Sequence, residues 1–211
     1  MILGRRPFLT ALLSTGALLA TGAARADGLD DKLRAAGAAR AKVKTLSGPF
    51  TQERVIGLLA TKVTSTGTLV LVRPDRLLWE LAAPDSVAYW VGPEGLAYKG
   101  KEGHGRLPMS AKIAPALEDL RVLLGGDLVK LRERYDMTEL ATDDGKGLAF
   151  EAVPKEKAGA RFAKLSMVLG EDLVRPRKIT LHEGAKEKTE ITFGALVVDA
   201  PVDPARVRPP A

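Results

Sequence analysis

The chain of 211 residues has no cysteine, two histidines and only 5% aromatic residues. The missing cysteine excludes disulfides, thiol nucleophiles and thiolate-held metals, and with them a lipid anchor on an N-terminal cysteine. His104, in Gly103-His104-Gly105, and His182 each stand without a second histidine or clustered carboxylates at ligand spacing, so no metal site is expected. No serine sits in a Gly-x-Ser-x-Gly elbow. Gly92-Pro93-Glu94-Gly95 and Gly125-Gly126 read as turn and stop signals, without the Lys-Ser/Thr end of a phosphate-cradling loop. Asp143-Asp144 is more simply a solvated hairpin than an acid–base pair. No Lys/Arg cluster alternates with aromatics, which argues against nucleic acid as a partner. The expectation is a cofactor-free protein and not an enzyme, since none of these patterns supports catalysis.

Long apolar runs are missing as well. The one candidate, Ala11 to Ala20, contains Ser14, Thr15 and Gly16 and falls short of the roughly 20 residues that span a bilayer. It follows Arg5-Arg6-Pro7-Phe8-Leu9 and closes on Ala24-Arg25-Ala26, a small-x-small exit. A basic start, a short apolar centre and such an exit predict a twin-arginine-like signal peptide over residues 1–26. Residues 27–211 would then form one exported, soluble domain in the periplasm. Of the net charge of +6, three charges (Arg5, Arg6 and Arg25) belong to the segment expected to be removed.

Leu29, Leu33, Ala36 and Val43 recur at helical spacing and predict an amphipathic helix over Asp30 to Lys44, ended by Ser47-Gly48-Pro49. From Phe50 the period becomes two. Strands are expected from Phe50, at Thr64 to Val72, at Leu77 to Leu81, and as a hairpin of Val87 to Val91 with Leu96 to Tyr98. Lys99 to Arg106, glycine-rich and charged, reads as a loop. Leu117, Leu120 and Leu124 mark a helix over Ala114 to Leu124, with Pro115 early in it and Gly125-Gly126 after it. A shorter helical piece over Asp127 to Glu133 and about five more strands follow, with turns at Asp143-Asp144-Gly145 and Glu183-Gly184. Short turns between successive strands imply an antiparallel meander. Leu69 and Leu71 face one way and Val70 and Val72 the other, so both faces of this sheet are apolar.

The order of these pieces resembles the periplasmic outer-membrane lipoprotein carrier family, the LolA-like proteins. The likeness is carried by the helix leading into Phe50-Thr51-Gln52, then Gly67-Thr68-Leu69, Arg73-Pro74, Trp79-Glu80 with Pro84 after it, Gly95-Leu96-x-Tyr98, the helical insertion, and Val207-x-Pro209-Pro210. The resemblance implies an α+β, mainly β fold: a curved, incompletely closed antiparallel β-barrel with an N-terminal helix and a helical lid. It implies a lipid-binding cavity at Leu69, Leu71, Leu77, Trp79 and Leu81, a lid helix carrying Leu117, Leu120 and Leu124, and Arg73 as the latch between lid and sheet. Where the family has phenylalanine this chain has Leu77, and the aromatics after the hairpin turn are reduced to Tyr98.

The implied function is to shield the acyl chains of lipoproteins, or of related lipids, and to carry them from an inner-membrane exporter to an outer-membrane acceptor, as a monomer. Two alternatives stand beside it. One is a lipid- or lipoprotein-sensing regulator of the same fold. The other is an acyl-ester hydrolase, which would need a catalytic serine.

Overall fold

The structure is a computed structural model and describes residues 21–57, 61–108, 114–156, 162–183 and 187–210. Residues 1–20 of the expected signal peptide, and Gly184 of an expected turn, lie outside the described residues. Helix α1 (Thr21–Ala41) leads into β1 (Thr45–Ile56), β2 (Thr61–Val72), β3 (Arg76–Leu81), β4 (Val87–Gly92), β5 (Gly95–Gly100) and β6 (Gly103–Pro108). Helix α2 (Ala114–Leu124) and a 3-10 turn (Leu128–Glu133) come next. The chain then returns to β structure in β7 (Tyr135–Leu140), β8 (Leu148–Pro154), β9 (Lys164–Leu169), β10 (Pro176–His182), β11 (Lys188–Phe193) and the short β12 (Val197–Val198).

All these strands belong to one antiparallel sheet of order β6-β5-β4-β3-β2-β1-β11-β10-β9-β8-β7, with β12 beside β1. The sheet does not close into a barrel, and β6 and β7 are its edges. The expected meander is present in both halves, which meet where β1 pairs with β11.

Several boundaries differ from the sequence expectation, among them the start of helix α1, at Thr21 and not Asp30. Helix α1 stops at Ala41, and β1 begins at Thr45, running through Ser47-Gly48-Pro49. The breakers are tolerated because the ladder on one side of β1 is interrupted there. β12 pairs with Leu46 and Ser47, β11 takes over at Phe50, and Pro49 has only to accept the Gly194 N–H at 2.9 Å. Gly48 is required by close approach, since a Cβ there would lie 2.7 Å from the Ala195 carbonyl oxygen. The stretch expected as a loop at Lys99 to Arg106 instead forms the end of β5 and most of β6, joined by a turn at Lys101-Glu102 with Gly103 at φ 134°. Cross-strand pairing decided that segment against its weak strand composition.

The concave face of the sheet packs on α1 and α2. Leu29, Leu33 and Ala36 of α1 share one core with Leu69, Leu71, Leu77, Trp79 and Leu81, and with Val122, Leu123 and Leu124 of α2. On the convex face, Val70, Leu78 and Val207 form a second buried cluster, edged by Val72, Trp90 and Val202. The C-terminal tail thus covers the outside of β2–β4. It is tied down by Trp90 Nε1 donating to the Arg206 carbonyl at 3.0 Å, by an Arg206–Glu80 ion pair at 2.7 Å, and by Arg106 donating to the Pro210 carbonyl at 2.8 Å.

The concave floor carries an aromatic stack in which Phe50 and Trp79 lie 3.8 Å apart between ring centroids, with Phe193 edge-on to Trp79 at 6.3 Å. Gly67 makes room for it. A Cβ there would meet the Glu80 carbonyl oxygen at 2.2 Å and Phe50 Cζ at 2.4 Å. Gly67→Ala should therefore destabilise the fold by about 1–3 kcal/mol, the range for overpacking a filled core. Urea unfolding measures it, and an unchanged midpoint would show that the stack relaxes freely.

Candidate functional site: an apolar cavity under helix α2

Between α2 and the concave face lies a cavity of about 530 Å³. Leu120, Leu123 and Leu124 form its roof, and Trp79, Tyr89, Val91, Leu96, Ile179, Leu181 and Ile191 its floor, with Phe162 at the side. Its size falls within the range of roughly 300–1,000 Å³ typical of small-molecule sites. Val55 and the polar residues Gln52, Arg54, Glu183, Glu187, Lys188 and Thr189 complete the lining. The strand register explains this division. Phe50, Gln52 and Arg54 alternate onto one face of β1 and stand opposite Phe193, Ile191 and Thr189 of β11. Moving along these strands, the same face changes from aromatic to charged. The chamber is amphipathic from end to end.

Of the wall residues expected from sequence, Trp79 lines the cavity. Leu69, Leu71, Leu77 and Leu81 are buried on the same face but in the packed layer beside it. Leu120 and Leu124 line the roof, while the side chain of Leu117 lies outside the described ones. Tyr89, Val91, Leu96, Phe162, Ile179, Leu181 and Ile191 are not among the wall residues expected from sequence, although alternation within their strands gives most of them an inward face.

Helix α2 is held to the body through polar contacts. Arg73 Nη2 donates to the carbonyl of Gly125, one residue past the helix. Burial alone lowers the pKa of this arginine from its ordinary value. Asp119, itself buried, accepts from the Tyr135 hydroxyl at 2.7 Å and from Arg134. Burial first, and then the Asp119 contact, push the Tyr135 pKa well up.

A third tie was missed in the sequence. Arg40 of α1 is only 1% exposed and donates to the carbonyls of Leu123 at 2.8 Å, Val122 at 3.2 Å and Gly126 at 3.3 Å. Burial, and then the nearby Arg73, push its pKa down to about 9, so it remains a cation at neutral pH. The signal was present in the sequence. Leu29, Leu33, Ala36, Arg40 and Val43 make one continuous helical stripe, and Arg40 occupies a position where an apolar residue is expected.

The histidines stand elsewhere. His104 is in β6, and His182 ends β10 beside Lys164 and Lys188. Burial first, then these two cations, hold the pKa of His182 below its usual value, so it is neutral at pH 7. Among the described residues no three His, Asp or Glu gather as a metal site, and no helix is long and apolar enough to cross a membrane.

An open antiparallel sheet wrapped around an apolar chamber and roofed by a helix makes an incompletely closed half-barrel. A family profile described as "Outer membrane lipoprotein carrier protein LolA" matches residues 41–206, and the chain belongs to that family. No curated protein matches the sequence. Among solved structures, MucB superposes with a TM-score of 0.52 at 16% identity, over 88% of this chain and 64% of MucB. A DUF1329 family protein from Desulfovibrio piger gives 0.51 at 13% identity, over 85% of this chain and 97% of that one. An uncharacterized conserved protein from Thermus thermophilus gives 0.51 at 9% identity, over 88% and 94%. At these identities the likeness is one of fold.

The Asp119 contact makes a direct prediction. Asp119→Ala leaves the Tyr135 hydroxyl without its acceptor in the interior and should cost about 1–3 kcal/mol, whereas adding Tyr135→Phe should recover part of that loss. Chemical unfolding of the two variants checks it. Equal loss in both would mean that the hydroxyl is not the group at stake.

Proposed function

We propose that this protein is an exported periplasmic carrier that shelters acyl chains in the cavity under α2 and delivers them to the outer membrane. In this reading the segment to Ala26 is a signal peptide, residues 27–211 act as a single monomeric domain, and no catalytic step is assigned to it. The cargo is the acyl moiety of a lipoprotein or of a related lipid, received from an inner-membrane exporter and passed to an outer-membrane acceptor. The observation that carries the reading is the chamber itself: an apolar wall beneath α2, with charged and polar groups at one end of its lining.

The energetics suit a carrier. Each methylene removed from water contributes about 0.8 kcal/mol, so a long chain bound at full value would hardly be released. A cover with its own contacts offsets this gain, because cargo must displace some of them. The Arg73–Gly125 bond strengthens the cover, which supports a latch role for Arg73, and the open–closed balance sets the affinity.

A regulator of the same fold is the second reading, favoured by the likeness to MucB, which has been solved in complex with MucA. This chain spans only 64% of MucB.

Two experiments test the proposal. Native mass spectrometry of the protein isolated from its own periplasm without detergent should show a bound acylated polypeptide. A bound free lipid would change the cargo and keep the carrier. No ligand, together with no uptake of a fluorescent long-chain fatty acid, would favour the regulator. In the second, Leu96→Trp should fill part of the chamber and reduce fatty-acid uptake about tenfold or more, while Arg73→Leu should leave the fold intact and slow onward transfer. Uptake unaffected by Leu96→Trp would place the ligand elsewhere, and unchanged transfer in Arg73→Leu would remove the latch.

A further inference from the structure

The C-terminal end of α2 faces two guanidinium groups, and among the described residues no carboxylate is in hydrogen-bond contact with either. Arg73 reaches Gly125 from the start of the β2–β3 turn, and Arg40 reaches Val122, Leu123 and Gly126 from α1. We propose that Arg40 is the residue that positions the end of α2, holding its last turn against α1 and the sheet in the empty and loaded states alike. Arg73 is then the lesser, more exposed tie, a latch that lets go by moving its own side chain while the turn stays. The inference rests on the carrier reading for its consequence and on the geometry of Arg40 for its substance.

A helix leaves its last carbonyls without intrahelical donors, and these carry the negative end of its dipole. Here the Arg121 and Val122 carbonyls are met by the N–H groups of Gly125 and Gly126. The Leu123 carbonyl, a second bond to Val122, and the carbonyls of Gly125 and Gly126 fall to the arginines. The dependence runs both ways. Arg40 is as buried as the core leucines, and its Nε has no partner. Its hydrogen-bond acceptors are therefore the carbonyls of the helix end, and Asp172 adds an opposite charge nearby. Withdrawing that end would leave a buried cation without acceptors beside a second cation, the costliest arrangement the interior offers.

The backbone is fitted to match. A Cβ on Gly125 would lie 2.2 Å from Leu71 Cδ2, and one on Gly37 would lie 2.9 Å from Asp127 Oδ1, just past the helix end. Lysine could not substitute for Arg40, because an ammonium group lacks the planar fork and loses its proton readily when buried.

Hydrogen exchange read by mass spectrometry on the empty full chain tests the role without any ligand. Arg40→Met should speed exchange in the last turn of α2 about tenfold or more and leave β8 and β9 unchanged, with Arg73→Met doing less. No acceleration there, or the same acceleration throughout the chain, would overturn the proposal. The absence of cysteine permits a second test, because Gly37→Cys with Asp127→Cys introduces a lone pair able to tether the end of α2 to α1. Uptake of a fluorescent long-chain fatty acid by the oxidised protein should match that of the reduced protein. Uptake lost on oxidation and regained on reduction means that the end must move, and the proposal fails. Absence of uptake in both forms counts against the carrier reading instead, and the exchange result still decides the role of Arg40.

Discussion

A sheet that is apolar on both faces cannot leave either of them to water, and most of this architecture follows from that constraint. On the convex side, Val70 and Leu78 are closed off by the C-terminal tail, with Val207 in one buried cluster with them. On the concave side the cover is unequal. Helix α1 sets Leu29, Leu33 and Ala36 directly into the core, while α2 stands off the sheet and leaves the chamber beneath Leu120, Leu123 and Leu124. Side chains facing that space lack dispersion partners which a well-packed core would supply. The fold thus keeps unfilled apolar contact area under α2, and this is the physical opening for an apolar guest.

Helix α2 is held over the chamber by polar as well as apolar contacts. If α2 were held by leucines alone, it could sink toward the sheet until the space closed, because apolar contact is non-directional. Hydrogen bonds are directional, and three sets of them fix the height of the helix: Asp119 with Tyr135 and Arg134, Arg73 with Gly125, and Arg40 with the final carbonyls. The arginine fork suits this task because it reaches several carbonyls at once in fixed geometry. The cost of burying Arg40 is then understandable as the cost of a spacer between a helix and a sheet that would otherwise close on each other.

Much of this was legible in the sequence. Helix α2 runs from Ala114 to Leu124 as Pro115 and the two glycines after it imply, and the alternation of Leu69 to Val72 assigned both faces correctly. The losses have identifiable causes. β6 has a poor strand composition and exists because β5 offers it a partner, which no local pattern reports. β1 passes through Gly48-Pro49 because its neighbouring ladder is broken there, a tertiary fact. Alternation says which way Leu77 and Trp79 face, and cannot say that one is packed and the other lines the chamber, since that depends on the height of α2. Arg40 was readable as an exception in an apolar stripe, but its partners lie more than eighty residues away, in the turn that it holds.

The chamber also bears on selectivity. An apolar wall rewards chain length nearly uniformly, methylene by methylene, and distinguishes poorly between heads. Discrimination would fall to the polar part of the lining, where Arg54 and Lys188 stand with Glu183 and Glu187. A lining of one sign would attract heads of the opposite charge and repel others, but mixed signs cancel at a distance and act only through short-range hydrogen bonds. Under the carrier reading, such a site accepts an acyl chain on many kinds of head, provided the head can both donate and accept hydrogen bonds. That tolerance suits cargoes that share their lipid and differ in everything attached to it.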